Sequence, residues 1–184
     1  MQRSRKILLV CHCLLNANAK VRPLAGYPGV LMEALEPYFR QGVGIMQLPC
    51  PESSYLGINR WGMSREQYDH PRFRRHCRHI LTPCMDQVEA FCASGCEVVG
   101  VVGADGSPNC GIYLTPLGLS GGVIGAAATV TEQIGGLQLA KGTGIFMQEV
   151  QQMLTARGIA TTFMAVDEKN PGKMKTENKE EKER

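Results

Sequence analysis

EVVGVV, residues 97–102, runs directly into GADGSPNCG, residues 103–111. The first stretch is an unbroken apolar run rich in β-branched residues, the signature of a strand buried on both faces of a parallel sheet. The second is a loop in which Gly106 and Gly111 flank Ser107, Pro108 and Cys110. In open α/β sheets, ligands bind in the crevice outside the carboxyl ends of the strands. Glycines in such a loop let its backbone pass close to something bulky.

Outward from this pair the pattern repeats. Lys6–Cys11 (KILLVC) is a second apolar run, Gly44–Leu48 (GIMQL) a shorter one, and Ile159–Val166 (IATTFMAV) is read as the strand that closes the sheet. Helical spacing separates them. Gly29–Arg40 carries Val30, Leu31, Ala34, Leu35 and Tyr38 on one face, and Pro37 predicts a kink or an early end. Pro71–Ser94 carries Phe73, Cys77, Ile80, Leu81, Cys84, Val88, Phe91 and Cys92 at three- and four-residue spacing. Pro83 there predicts a kink or a restart with Thr82 as N-cap. Gly144–Ala156 is a third helix, which the preceding Lys141–Gly144 (KGTG) is expected to cap while it helps to wall a pocket.

Strands alternating with helices imply parallel pairing through right-handed crossovers. The expected fold is α/β: a small doubly wound, mostly parallel sheet with helices on both faces, Rossmann-like or flavodoxin-like. Residues 1–166 read as a single domain. Residues 167–184, DEKNPGKMKTENKEEKER, read as a charged disordered tail because they offer almost no apolar side chains to bury.

With 184 residues, 43% hydrophobic and 20% charged, the chain has the balance of an ordinary globular domain. No window approaches the roughly 18 apolar residues of a membrane helix, so no membrane partner is expected. MQRSRKILLV at the start is read as leading into a first strand, not as a leader, and a cytoplasmic setting is expected. A net charge of +3 is too small to imply nucleic acid. Arg65, Arg72, Arg74, Arg75 and Arg78, with His70, His76 and His79, form a basic stretch without aromatic interleaving, read as a solvated helix face. The expected partner is a small molecule.

Eight cysteines in a reducing compartment are core packing, metal ligands or reactive thiols rather than disulfides. Cys77, Cys84 and Cys92 share the apolar stripe of their helix and read as core, and Cys96 has no motif around it. Cys11, Cys13, Cys50 and Cys110 are different, because each falls at or just past the end of a strand. Three distant stretches would deliver thiols to one rim. Cys50 is followed by Pro51 and Glu52, and Cys110 is preceded by Ser107 and Pro108. Glu52 is a proton-transfer group and Ser107 a hydroxyl able to position water.

At these motifs the chain resembles the thiouracil desulfidase (TudS) family, whose members carry S-x-C-L-L-G, C-P-E and S-P-S-C-G. Here they stand as Cys11-His-Cys13-Leu-Leu-Asn16, Cys50-Pro-Glu52 and Ser107-Pro-Asn-Cys110-Gly111. YLGINRWGM at Tyr55–Met63 and YDHP at Tyr68–Pro71 are similar to a TudS-related subgroup, which also shares Arg60, taken here as a candidate substrate contact. The resemblance extends to about Val166. It implies a 4Fe-4S cluster held by Cys13, Cys50 and Cys110, with one iron free of protein ligands. It also implies hydrolysis of C=S to C=O in a small thiolated compound, sulfide being released, with Glu52 and Ser107 as the acid/base pair. Negative charge on such a cluster would let Glu52 exchange a proton near neutrality. Cys11 stands where the family has serine and is read as a buried strand end. Lys20-Val-Arg22-Pro23 replaces the family's R-Y-D-G, a change that concerns the substrate.

Two rival readings follow from the same thiols. Cys11 as a fourth ligand would make a non-catalytic module for storage, sensing or electron transfer. An open iron acting on a hydroxyl would make a dehydratase-like Lewis-acid enzyme.

Overall fold

The computed structural model describes residues 3–119, 121, 131–132 and 135–176. Its centre is a five-stranded sheet built from β1 (Lys6–Val10), β2 (Gly44–Gln47), β3 (Glu97–Ala104), β6 (Phe163–Val166) and β7 (Met174–Thr176), in the order β2-β1-β3-β6-β7. The first four strands run parallel, and β7 is antiparallel to β6 at the edge. Flanking helices are α1 (His12–Leu15), α2 (Met32–Arg40), α3 (Pro51–Leu56), α4 (Arg65–Tyr68), α5 (Pro71–Ala93) and α6 (Ile145–Ala156). β4 (Leu114–Leu117) and β5 (Gln138–Lys141) form a separate antiparallel pair. The fold is the expected α/β class, of Rossmann or flavodoxin type.

Leu8, Leu9 and Val10 have no solvent exposure, as a central strand covered on both faces requires. Phe73, Cys77, Leu81, Met85 and Val88 of α5 share one core with Phe146, Val150 and Leu154 of α6. Across that seam Glu149, itself buried, receives Arg74 at 2.9 Å and Arg78 at 2.8 Å. Arg74 also reaches Asp69, Arg65 donates to the Thr143 carbonyl, and His70 caps α5 by accepting from Phe73 N–H. Much of the basic stretch is therefore spent on holding helices together.

Several local expectations are corrected. α5 is one continuous helix through Pro83. Thr82 is no N-cap, since its hydroxyl donates to the Arg78 carbonyl one turn back. α2 likewise continues past Pro37 to Arg40. Phe91 is exposed, because the buried stripe of α5 ends at Val88. The last parallel strand starts at Phe163 and does not close the sheet, since β7 lies outside it. Residues 167–176 are thus ordered structure, not tail. Met174 gives them an apolar anchor, in reach of Tyr38 Oη at 3.6 Å, while Glu168 pairs with Lys20. Residues 177–184 lie outside the described residues. No helix among the described residues is long and apolar enough to cross a membrane.

Candidate active site

The parallel strands deliver the cysteines to one rim. Cys11 follows β1 directly, its N–H bonded to the Val102 carbonyl of β3 at 3.0 Å, and it caps the short α1 that carries Cys13. Cys50 caps α3 just beyond β2, its Sγ accepting from Ser53 N–H at 3.4 Å. Cys110 sits in the loop after β3, its carbonyl bonded back to Ala104 N–H at 2.9 Å.

That loop is shaped by its own chemistry. Asp105 Oδ1 accepts from the N–H groups of Ile112, Tyr113 and Leu114 at 2.9–3.1 Å. Ser107 Oγ accepts from Asn109 N–H and Cys110 N–H at 3.3 and 3.0 Å. The glycines serve the loop's own fold: a Cβ on Gly103 would meet the Cys110 carbonyl, and one on Gly111 the carbonyls of Leu114 and Ser107. What the backbone approaches so closely is therefore itself. Thr143 and Gly144 brace the loop, through bonds to the Ile112 and Gly111 carbonyls, and Gly144 caps α6 as expected.

Cys11 is fully buried, as a strand end should be, and its Sγ lies 3.8 Å from Cys13 Sγ. The neighbouring Cys110 and Cys13 thiols, together with burial, hold the Cys11 thiol well above its ordinary range. The bond from Cys11, aided by the Lys20 ammonium, pulls Cys13 down against burial. Cys11 pulls on Cys110 too, but burial and the charges of Cys13, Cys50 and Glu52 outweigh it and leave Cys110 raised. Burial and the Glu149 carboxylate push Cys77, on the core stripe, up to about 12. Cys84, Cys92 and Cys96 are half-buried and stand apart from the cluster.

Glu52, in the first turn of α3, is gripped from two sides. Arg60 Nε donates to Oε2 and Asn109 Nδ2 to Oε1, each at 3.0 Å. Arg60 also donates to the Ala19 carbonyl at 2.7 Å. Burial of Tyr68 and the nearby Glu52 carboxylate push its hydroxyl far up. On the Cys13 side, Tyr27 Oη lies 3.0 Å from the Cys13 carbonyl and 2.8 Å from Glu168 Oε1, and Glu168 binds Lys20. A cleft of ≈ 530 Å³ opens between these two flanks, lined by Lys20, Arg22, Tyr27, Ile58, Asn59 and Arg60 among others.

Over 111 residues, 60% of this chain and 70% of the relative, the sequence is 32% identical to MJ0003 of Methanocaldococcus jannaschii, a protein named as uncharacterized. The chain belongs to the family of MJ0003. No family model matches the chain, and no solved structure matches it. The name of the MJ0003 relative assigns no activity, so the function rests on the residues of the site.

Sequence reasoning singled out Cys13, Cys50, Cys110, Glu52 and Ser107, and all five stand on the same rim. Arg60 lines the cleft but spends its nitrogens on Glu52, Ala19 and Gly57, so its visible role is to hold Glu52. Reasoning from sequence missed Asn109, Tyr68, Tyr27 and Glu168, and took Lys20 only as part of a change that concerns the substrate. Asn109 lies inside the quoted motif and Tyr68 opens YDHP, so position alone could have flagged both. Nothing in the sequence ties Glu168 to Cys13.

Proposed function

We propose that the protein is an iron–sulfur-dependent desulfidase that hydrolyses C=S to C=O in a small thiolated compound of thiouracil type. The observation that carries this reading is that Cys11, Cys13, Cys50 and Cys110 all follow the carboxyl ends of parallel strands on one rim, with the Glu52 carboxylate clamped there by Asn109 and by Arg60, which also lines the neighbouring cleft. Soft thiolates are the donors that iron–sulfur clusters take. Among the described residues, no group of three or more His, Cys, Asp or Glu side chains is placed to hold a metal ion, so the ligand set is inferred from the chemistry of the thiols and their place at the strand ends. Cys13, Cys50 and Cys110 would hold a 4Fe-4S cluster. When bound, the cluster would supply a thiophilic Lewis acid for the substrate's sulfur.

The chain's own groups account for the rest. Glu52 is held by Arg60 and Asn109 with its acceptor oxygens presented beside the thiols, the posture of a base that takes a proton from water. Ser107 already accepts two N–H groups, so its own proton remains to be donated. Lys20 and Arg60 on the cleft wall are held in ion pairs with Glu168 and Glu52, so with Tyr27, Ile58 and Asn59 they give the cleft a mixed polar and apolar lining suited to a small heterocycle. A small molecule, with no nucleic acid or membrane, suits a cleft of this size.

A second reading has its own observation. Cys11 Sγ lies 3.8 Å from Cys13 Sγ and its thiol is influenced by Cys110, so a fourth thiol is at hand to close the coordination, giving a storage, sensing or electron-transfer module. Anaerobic reconstitution followed by iron and sulfide analysis, with sulfide release measured from 2-thiouracil, tests both. The desulfidase reading expects sulfide release by wild type and iron retention in Cys11→Ser. It expects iron loss in Cys13→Ser, Cys50→Ser and Cys110→Ser. Full iron content with no sulfide release, and iron loss in Cys11→Ser, would favour the module.

A further inference from the structure

Two polar atoms beside Glu52 are buried without a hydrogen-bond partner among the described residues, Tyr68 Oη and Asn109 Oδ1. Tyr68 is 1% exposed and Asn109 0%. Asn109 meets the carboxylate through Nδ2, 3.0 Å from Oε1. That contact fixes the amide, because only its NH₂ can face a carboxylate oxygen, and leaves Oδ1 as an acceptor with no donor. Tyr68 arrives from the end of α4. It feels the charges of Glu52, Arg60 and Cys50 and stands near Glu52 without closing a bond of ordinary geometry. An unsatisfied buried polar atom costs about 1–3 kcal/mol. Groups of this kind are usually served by an ordered water with two to four polar partners.

We propose that Tyr68 and Asn109 seat the hydrolytic water against Glu52. The three groups are complementary to one water molecule: the Tyr68 O–H donates to its oxygen, while Asn109 Oδ1 and Glu52 accept its two protons. This rests on the hydrolytic reading above. In the step, the water oxygen bonds to the thiocarbonyl carbon as one of its protons passes to Glu52. The C–S bond then breaks with its electron pair leaving on sulfur, and C=O forms. The two protons of the water end on the departing sulfide, so thiocarbonyl plus water gives carbonyl plus hydrogen sulfide, with nothing oxidised or reduced. Tyr68 and Asn109 act through the water and are positioning residues.

Tyr68→Phe deletes one oxygen and keeps the ring packed 4.7 Å from Phe73, so the variant is expected to fold. High-resolution crystal structures of the full wild-type chain and of Tyr68→Phe are the first test. The expected result is a water within hydrogen-bonding distance of Tyr68, Asn109 and Glu52 in the wild type, lost or displaced in the variant. Steady-state sulfide release is the second. The kcat of Tyr68→Phe is expected to fall roughly tenfold, the equivalent of one hydrogen bond of about 1.4 kcal/mol, with KM within about twofold. A wild-type structure with no such water, or a variant with unchanged kcat, overturns the proposal. If wild type releases no sulfide while the water is seen on these three groups, the desulfidase reading fails and the seat stands.

Discussion

Arg60 sets its Nε 3.0 Å from Glu52 Oε2 and a terminal nitrogen 2.7 Å from the Ala19 carbonyl, so one guanidinium ties the candidate base to the segment that follows Cys13. The Arg60 side chain is 4% exposed and that of Glu52 13%. Removing one partner of a nearly buried pair strands the other charge. Arg60→Ala is expected to lower unfolding stability by roughly 3 kcal/mol, read by urea denaturation. Arg60→Lys cannot reproduce the fork and is expected to keep more stability than Arg60→Ala but to slow sulfide release at least tenfold. Equal kcat in wild type and Arg60→Lys would show that orientation of Glu52 is not limiting.

Cys13 and Glu168 give a prediction of opposite sign. Lys20 pulls the Cys13 thiol down and Glu168 pushes it up. Glu168→Gln removes the second influence, so Cys13 should ionise at lower pH than in wild type. Alkylation of the metal-free chain at pH 7, followed by peptide mass spectrometry, should label Cys13 faster in the variant. Lys20→Met should slow it. Because the pair is largely withdrawn from solvent, each variant strands the other charge and stability should fall by roughly 1–3 kcal/mol.

Alkaline sensitivity follows from Cys77. Its thiol rises from an ordinary 9.0 to about 12 in the folded chain. Between those values the unfolded chain has lost a proton that the folded chain keeps, so stability falls as pH rises. By pH 10 this one group should cost on the order of 1 kcal/mol. Denaturation of wild type and Cys77→Ala at pH 7.5 and pH 10 checks the sign. The variant is expected to be less stable at pH 7.5, from the cavity, but to lose less on going to pH 10.

Asp105 carries the loop that presents Cys110. Its Oδ1 serves three N–H groups, and Asp105→Ala leaves them to compete for water in a crowded turn. A loss of about 2–3 kcal/mol is expected, together with a reconstituted iron content well below that of wild type. Asp105→Asn keeps the acceptor oxygen and should recover most of both.

The strands were legible because two-sided burial writes itself as unbroken apolar runs, and KILLV and EVVGVV are such runs. The thiol rim followed, since parallel strands point their carboxyl ends the same way. β4 and β5 escaped notice because they are four residues each and β4 contains Pro116, which a free edge tolerates. β7 was hidden in charge, with only Met174 to mark its inner side. In α2 and α5 the prolines do not end the helix, because the rest of a well-packed apolar stripe outweighs one lost backbone bond. Within the site, residue types and strand ends announced Cys13, Cys50, Cys110 and Glu52. The clamp of Arg60 and Asn109 on Glu52 did not announce itself, because it depends on loops meeting in space.

The antiparallel pairing of Met174–Thr176 with β6 has a practical corollary. A polypeptide stopped at Val166 would keep every thiol of the rim but leave the backbone donors and acceptors of Met164–Val166 unshielded on that flank, an invitation to sticking between molecules. It would also lack the acid that neutralises Lys20. Shortened versions of this protein should therefore retain residues through Thr176 if they are to stay dispersed.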